Sequence, residues 1–440
     1  MDYFTRKIDA ALLEWKNDSR HKPLMLRGAR QIGKTSAVRN LGKTFKYYVE
    51  INFEDTPQEI NDLFQAGSSP QKICEKLSEI VDTTIIAGET LVFFDEIQEH
   101  PPVLSRLRYF YEQYPELHVI AAGSLLEFAL EEIPSFGVGR IDTVFMYPFS
   151  FREFLLAEGR AMWAKLIGEA TPEKPLSAGV HKKLLDELQT FLIIGGMPEV
   201  VAEYVRTHDF LRCRNVLNSL LVMFRNDFAK YKKRIPAARI NEVFTSVAHQ
   251  AEGKFVYEHV SQNLNNEQVK ISLQLLLDAG LCYQITHSSA NGVPLGANIN
   301  PKYRRIFPFD TGLCQRILNL DVSRILLSTD FDVINKGAIA EIFVASELKK
   351  AASCYVDDEL YCWVREKKKA NAQIDFVVQQ GQTVVPIEVK SGSSGRMQSM
   401  WQFLKEKNSG YGIRTSLENF AEYDKIKVYP LYAIGNVLKE

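Results

Sequence analysis

The six cysteines, Cys74, Cys213, Cys282, Cys314, Cys354 and Cys362, include no C-x-x-C pair and no zinc-like spacing. A disulfide framework and a structural zinc site are excluded, and reduced, mostly buried thiols are expected. No apolar run is long enough to cross a bilayer, and Met1-Asp-Tyr-Phe-Thr-Arg6 lacks the basic-then-apolar order of a secretory leader. A cytoplasmic chain without a membrane anchor is expected. Neither sign of charge is in excess: 53 Lys and Arg stand against 54 Asp and Glu, a formal net charge of -1. A uniformly basic nucleic-acid binder is thereby excluded, while a local basic face has to be sought by position. What is present is length, 440 residues, and 46 % apolar content, enough for about three domains with ordinary cores.

The stretch Lys22 to Ser36, KPLMLRGARQIGKTS, organises the rest. Leu24, Met25 and Leu26 read as the end of a buried strand, and residues 28–35 fit G-x-x-x-x-G-K-[ST], with a helix predicted from Lys34. Gly28 and Gly33 permit a tight turn whose N–H groups face phosphates. The set Gly28, Ala29, Arg30, Gln31, Ile32, Gly33, Lys34, Thr35 and Ser36 is the candidate nucleotide-binding loop. Lys34 brings positive charge to the β- and γ-phosphates, Thr35 reaches Mg²⁺, and the helix N-terminus faces the anion. The implied ligand is ATP with Mg²⁺.

A helix carrying Ile8, Leu12, Leu13 and Trp15 is expected before the loop. Tyr3, Phe4 and Arg6 are read either as flanking the nucleotide base or as ordinary packing. After it, Tyr47–Phe53 reads as a strand, followed by an amphipathic helical pair to about Val81. Thr90-Leu-Val-Phe-Phe-Asp95-Glu96 is a buried strand ending in two acids. Asp95 is assigned as the metal partner of Thr35, and Glu96 as the base that orients or deprotonates water. Leu117 to Gly123 is a further short strand, next to that of Asp95, and Ser124 is either a γ-phosphate sensor or a helix N-cap. Alternating strands and helices give an α/β class, a parallel sheet with its ligand at the carboxyl edge.

Together, GARQIGKTS, LVFFDEIQ, VIAAGSLLEF, Gly139-Arg140, YPFSFREFL from Tyr147 and IGGMPEV from Ile194 resemble the prokaryotic, archaeal-type AAA+ ATPases that carry a C-terminal domain of unknown function. The likeness covers nearly the whole chain. It implies that Arg140 is a charge-stabilising arginine reaching the γ-phosphate in cis or from a neighbouring subunit of an oligomer; the alternative is a surface residue.

Residues 183–230 carry helical periodicity broken at Gly195-Gly-Met-Pro198, and residues 161–235 are expected as a helical lid or linker after the ATPase domain of residues 1–160. Lys230, Lys232, Lys233 and Arg234 form a small basic cluster, for which a solvated helix end is the plain reading. Residues 236–325 run helix, helix, helix, hairpin, the order of a winged helix. Its third helix is weakly basic: Lys270 stands against Glu267 and Asp278, with Gln268, Ser272 and Gln274 as polar surface. DNA contact, protein contact and a purely structural wing all stay open for it.

In residues 326–440, a helix with Glu341 precedes two hairpin-like strands, one with Asp375 and one with Glu388-Val-Lys390. Residues two apart on a strand share a face, so Glu388 and Lys390 point together. This part resembles the PD-(D/E)xK restriction-endonuclease-like fold. The resemblance implies that Glu341 joins from the helix, that Asp375 and Glu388 hold a divalent metal, and that Lys390 activates a water. The dull alternative is a strand with a salt bridge. Arg365, Lys367, Lys368 and Lys369 are read as phosphate contacts or as solubilising charge. The expected function is an AAA+ ATPase whose nuclease-like tail acts on or binds DNA. The alternatives are a nucleotide-gated switch holding a protein partner, and a silent DNA-binding module.

Overall fold

Short apolar runs set the first layer. Leu24–Arg27 (β1), Tyr47–Asn52 (β2), Thr90–Asp95 (β3), His118–Ala122 (β4) and Asp142–Phe145 (β5) form a sheet in the order β2-β3-β4-β1-β5, all parallel. Every residue of β3 and β4 is buried, as expected where helices cover both faces of a parallel sheet. On one face Val92, Phe94, Val119 and Ala121 meet Ile73 and Leu77 of helix Pro70–Val81 and Leu104, Leu107 and Phe110 of helix Pro101–Gln113. The computed structural model describes residues 3–65, 67–123, 139–231, 235–320, 337–365, 372–390 and 397–438. They divide into two compact units, Met1–Tyr147 with Ser353–Asp357, and Pro148–Ala352 with Asp358–Glu440.

The short return segment completes the first unit. The Phe145 N–H donates to the Cys354 carbonyl at 2.7 Å, and the Tyr147 hydroxyl donates to Asp357 at 3.0 Å. The outer edge of β5 is thereby covered, which protects an otherwise open strand.

In the second unit, helices Phe151–Ala157, Ala161–Glu169, Ala178–Ile194, Pro198–Thr207 and Phe210–Asp227 come first. The expected break at Gly195-Gly196 has a clear cause: Gly195 has φ of 75°, and an added Cβ there would lie 2.3 Å from Asp310 Oδ1. Asp310, fully enclosed, accepts from the Gly196 N–H at 2.6 Å and caps the next helix through Leu313 N–H at 2.9 Å. Helix Ala237–His249, a short 3-10 turn Tyr257–His259 and helix Asn266–Asp278 follow, then the hairpin Cys282–Ser288 (β6) and Ile299–Pro308 (β7). Asn265 caps the third helix, accepting from Gln268 N–H at 2.9 Å. Ser272, expected on its polar surface, is instead buried beside Val269, Leu273 and Leu276. Positions 269, 272, 273 and 276 share one face at helical spacing, and that face is the packed one.

The last strands are Leu360–Val364 (β8), Gln373–Gln380 (β9), Thr383–Val389 (β10), Gly412–Ser416 (β11), Ala421–Tyr423 (β12) and Ile426–Pro430 (β13). One eight-stranded mixed sheet runs β12-β13-β11-β10-β9-β8-β6-β7. The hairpin expected as a wing pairs in parallel with β8, Ile285 opposite Leu360, so its two strands belong to the same sheet as the strands from Leu360 onward. Among the described residues no helix is long and apolar enough to cross a membrane.

Candidate nucleotide site and a second acid cluster

The phosphate loop follows β1 through backbone conformations that few residues adopt. Gly28 has φ of 141°, Gln31 of 63° and Gly33 of 94°. At Gly28 a Cβ would stand 2.2 Å from the Met146 carbonyl oxygen and 2.6 Å from Ile32, so glycine is required by both conformation and space. Helix Lys34–Gly42 starts where the pattern predicted. Ile32 is fully buried and pins the loop from below, while Gln31 and Ser36 are exposed.

Arg6 is a support residue that sequence reasoning placed only loosely. Its buried guanidinium donates to the Ile32 carbonyl at 3.2 Å and to the Tyr147 carbonyl at 2.7 Å, tying the loop to the chain after β5. A lone arginine before the first helix carries no local pattern that announces this; only the fold brings positions 6, 32 and 147 together.

Lys34, 7 % exposed, donates to the carbonyls of Gly28 at 2.9 Å and Ala29 at 2.8 Å. Burial pushes its ammonium down to about 8, against the pull of Glu96 and Asp95. The loop thus holds a desolvated cation beside its N–H groups, arranged for an anion to relieve.

Asp95 leaves the end of β3 and accepts from the Thr35 hydroxyl at 2.7 Å. Its other oxygen accepts from the Glu96 N–H at 3.0 Å. Burial raises the Asp95 carboxyl, opposed by the Thr35 bond and reinforced by the Glu96 charge. A hydroxyl and a carboxylate in contact, the latter 4 % exposed, make an oxygen donor pair of the kind Mg²⁺ takes together with phosphate oxygens. Glu96 has φ of 49°, unusual for a side chain with a Cβ. That turn swings its carboxylate away from the strand, where Gln98 Nε2 donates to it at 2.6 Å. Arg30 faces Glu54 at 3.4 Å.

The structure thus brings Lys34, Thr35, Asp95 and Glu96 together. Arg140 is not among them in the same chain: it precedes the amino end of β5 and pairs with Glu112. Because β5 runs parallel to β1, Arg140 lies at the sheet edge opposite the loop, roughly 15–20 Å away by strand rise. Ser124, Lys232, Lys233, Arg234, Lys367, Lys368 and Lys369 lie outside the described residues.

In the second unit the expected quartet is also assembled, together with a residue no motif singled out. Asp375 on β9 accepts from the Val389 N–H at 2.8 Å. Glu388 and Lys390 form an ion pair at 2.5 Å. Arg305, from β7 and only 1 % exposed in its side chain, inserts between Glu341 and Asp375. It donates to Glu341 directly, and its Nη1 is 3.8 Å from Asp375 Oδ1. Burial raises Glu341, with the Asp375 charge beside it acting in the same direction and Arg305 opposing. Arg365 pairs with Glu406. Among the described residues no group of three or more His, Cys, Asp or Glu side chains is arranged to hold a metal ion.

Residues 20–155 match an AAA domain family. Residues 185–324 and 336–434 match two domains of unknown function, DUF8612 and DUF4143. No curated protein matches the chain. Among solved structures, a Walker-type ATPase of Pyrococcus abyssi is 16 % identical, covering 72 % of this chain and 97 % of its own, with a TM-score of 0.47. The Thermotoga maritima RuvB Holliday junction branch migration motor is 14 % identical over 72 % of this chain and 93 % of its own, TM-score 0.32. The Aeropyrum pernix ORC1 protein, solved in complex with DNA, is 13 % identical over 73 % and 92 %, TM-score 0.28. The segment that matches the AAA domain family thus has the parallel sheet, phosphate loop and strand-end acid of the P-loop ATPase fold, and it is joined in one chain to a unit built on a mixed sheet.

Proposed function

We propose that the chain binds ATP with Mg²⁺ in the loop 28–36 and hydrolyses it, using the nucleotide cycle to control its second unit. The observation that carries the reading is the 2.7 Å contact between Thr35 and Asp95, made between two elements distant in sequence. Magnesium, when bound, supplies charge stabilisation at the β- and γ-phosphate oxygens. Lys34 turns from its own loop carbonyls to the phosphates; Thr35 and Asp95 hold the metal side. Glu96, released from Gln98, orients the attacking water and takes its proton. Ser124 as a γ-phosphate sensor and Arg140 acting on a neighbouring subunit's nucleotide complete the proposal, and the opposite-edge location of Arg140 favours action in trans. A cytoplasmic location belongs to the same reading, supported by six unpaired cysteines.

For the second unit, DNA contact through the third helix and hairpin is supported by the helix-helix-hairpin order and by exposed Lys254, Lys270 and Lys302. A second reading, a nucleotide-gated switch that holds a protein partner without cutting DNA, is favoured by the ion pairs that engage Glu341, Asp375 and Glu388.

The test is ATP turnover by the full chain with and without single- and double-stranded DNA, scored in parallel for strand cutting. Lys34→Ala and Glu96→Gln should each lose turnover by about 100-fold or more, Glu96→Gln keeping its ATP affinity. Wild-type turnover in Lys34→Ala refutes the ATPase reading. DNA-stimulated turnover supports the DNA reading of the second unit, and DNA-indifferent turnover supports the switch.

A further inference from the structure

We infer that Arg305 is the resident cation of the second acid cluster, standing where a nuclease-like site would load a divalent metal, so that the second unit folds without metal and does not cleave nucleic acid. The inference rests on the resemblance of Glu341, Asp375, Glu388 and Lys390 to the PD-(D/E)xK arrangement and is independent of ATP hydrolysis.

The donor inventory decides against a metal. A divalent cation of the magnesium class needs several oxygens at about 2.0–2.6 Å, with net negative charge around it. Glu341 gives an oxygen to the Arg305 guanidinium. Asp375 gives one oxygen to the Val389 N–H and turns the other toward Arg305 at 3.8 Å. Glu388 gives Oε1 to Lys390 at 2.5 Å. Two oxygens are left over, Glu341 Oε1 and Glu388 Oε2, the latter buried with no hydrogen-bond partner among the described residues, and each belongs to a carboxylate already paired with a cation. Three carboxylates therefore face two cations, leaving about one net negative charge in the cluster.

Arg305 cannot swing aside cheaply to make room. It is among the largest fully buried side chains of the described residues, its Cζ lies 4.8 Å from the Phe307 ring centroid, and its strand is hydrogen-bonded to β6 on the sheet edge. Removing it would leave the buried carboxylates of Glu341 and Asp375 side by side with like charge, opposed only by Lys390 acting on Asp375. A divalent metal can enter that volume only by taking its place. The arginine comes from the segment matched by one family and the carboxylates from the segment matched by the other. The ion pairs thus join the two stretches of chain as well as filling the cluster.

The experiment measures Mn²⁺ binding to the full-length chain without nucleotide, by the free-Mn²⁺ signal in electron paramagnetic resonance. Wild type and Asp375→Asn should bind the same number of ions. Arg305→Gln should bind about one more per chain, and the double variant Arg305→Gln with Asp375→Asn should lose it again. Loss of an ion in Asp375→Asn relative to wild type overturns the inference. So does an Arg305→Gln protein that matches wild type by circular dichroism and gel filtration yet gains no Mn²⁺. Arg305→Gln is at risk of not folding; in that case the wild-type and Asp375→Asn comparison decides alone, equal binding supporting the resident cation and unequal binding refuting it. Arg305→Lys, which keeps the charge, should fold and bind no additional ion.

Discussion

Replacing Lys34 with methionine should make the nucleotide-free protein more stable while abolishing its response to ATP. The lysine's fall from an ordinary 10.5 to about 8 corresponds to roughly 3 kcal/mol of penalty for holding the ammonium in the folded state at neutral pH. The hydrogen bonds to Gly28 and Ala29 offset about 1–2 kcal/mol of that. Methionine fills the same volume without charge, so a net gain of about 1–2 kcal/mol is expected at pH 7. The sign with pH follows. Below the folded value near 8 both states are protonated and the penalty is complete. As pH rises from there toward 10.5 the folded state sheds its proton first, the penalty fades, and wild type gains stability. Lys34→Met should lack that rise. Urea unfolding at pH 7 and pH 10 reads both effects, and Mg²⁺ with ATP at 100 times the dissociation constant should add about 2.7 kcal/mol to wild type and nothing to the variant. A nucleotide-free variant less stable than wild type by more than about 1 kcal/mol would refute the account of Lys34 as a strained, waiting cation.

The same lysine governs affinity: phosphates favour its protonated form, so ATP binding should weaken above pH 8, up to about tenfold per pH unit, with proton uptake visible as a buffer-dependent calorimetric heat. Lys34→Met should give neither the binding heat nor the proton uptake. Gly28→Ala, placing a Cβ 2.2 Å from the Met146 carbonyl at a φ that side chains avoid, should cost about 2–4 kcal/mol of stability and weaken ATP binding; an unchanged unfolding midpoint contradicts the close approach. Arg6→Met should lose about 1.5–3 kcal/mol through the carbonyls of Ile32 and Tyr147, with a raised KM for ATP and a smaller change in kcat, since the residue positions the loop and does not touch the reaction. Equal loss of kcat with unchanged KM argues for a direct role instead.

The first unit was largely legible in residue order because its signals are local. A loop that needs Gly28 and Gly33, a lysine one residue later, and an apolar strand ending in Asp95 each fit within a few residues, and the contact between Thr35 and Asp95 follows from strands delivering their ends to one edge. The third helix and the break at Gly195 were readable for the same reason, whereas the burial of Ser272 depended on which face of that helix the rest of the unit packed against.

What tertiary structure alone decided are the long-range partnerships. Segment 353–357 closes the edge beside β5, Arg6 braces the loop, β6 joins β8 to make one sheet from two stretches, and Arg305 enters the cluster of Glu341 and Asp375. None of these leaves a period or a spacing in the sequence, since a buried arginine two residues before Phe307 looks like any strand residue until its neighbours arrive. Periodicity and turn chemistry act over a few residues, and charge pairing in the interior acts between whichever groups the sheet order happens to enclose. The glycine-rich loop after β1 was therefore written in the chain, while the ion pairs of the second acid cluster were set by packing.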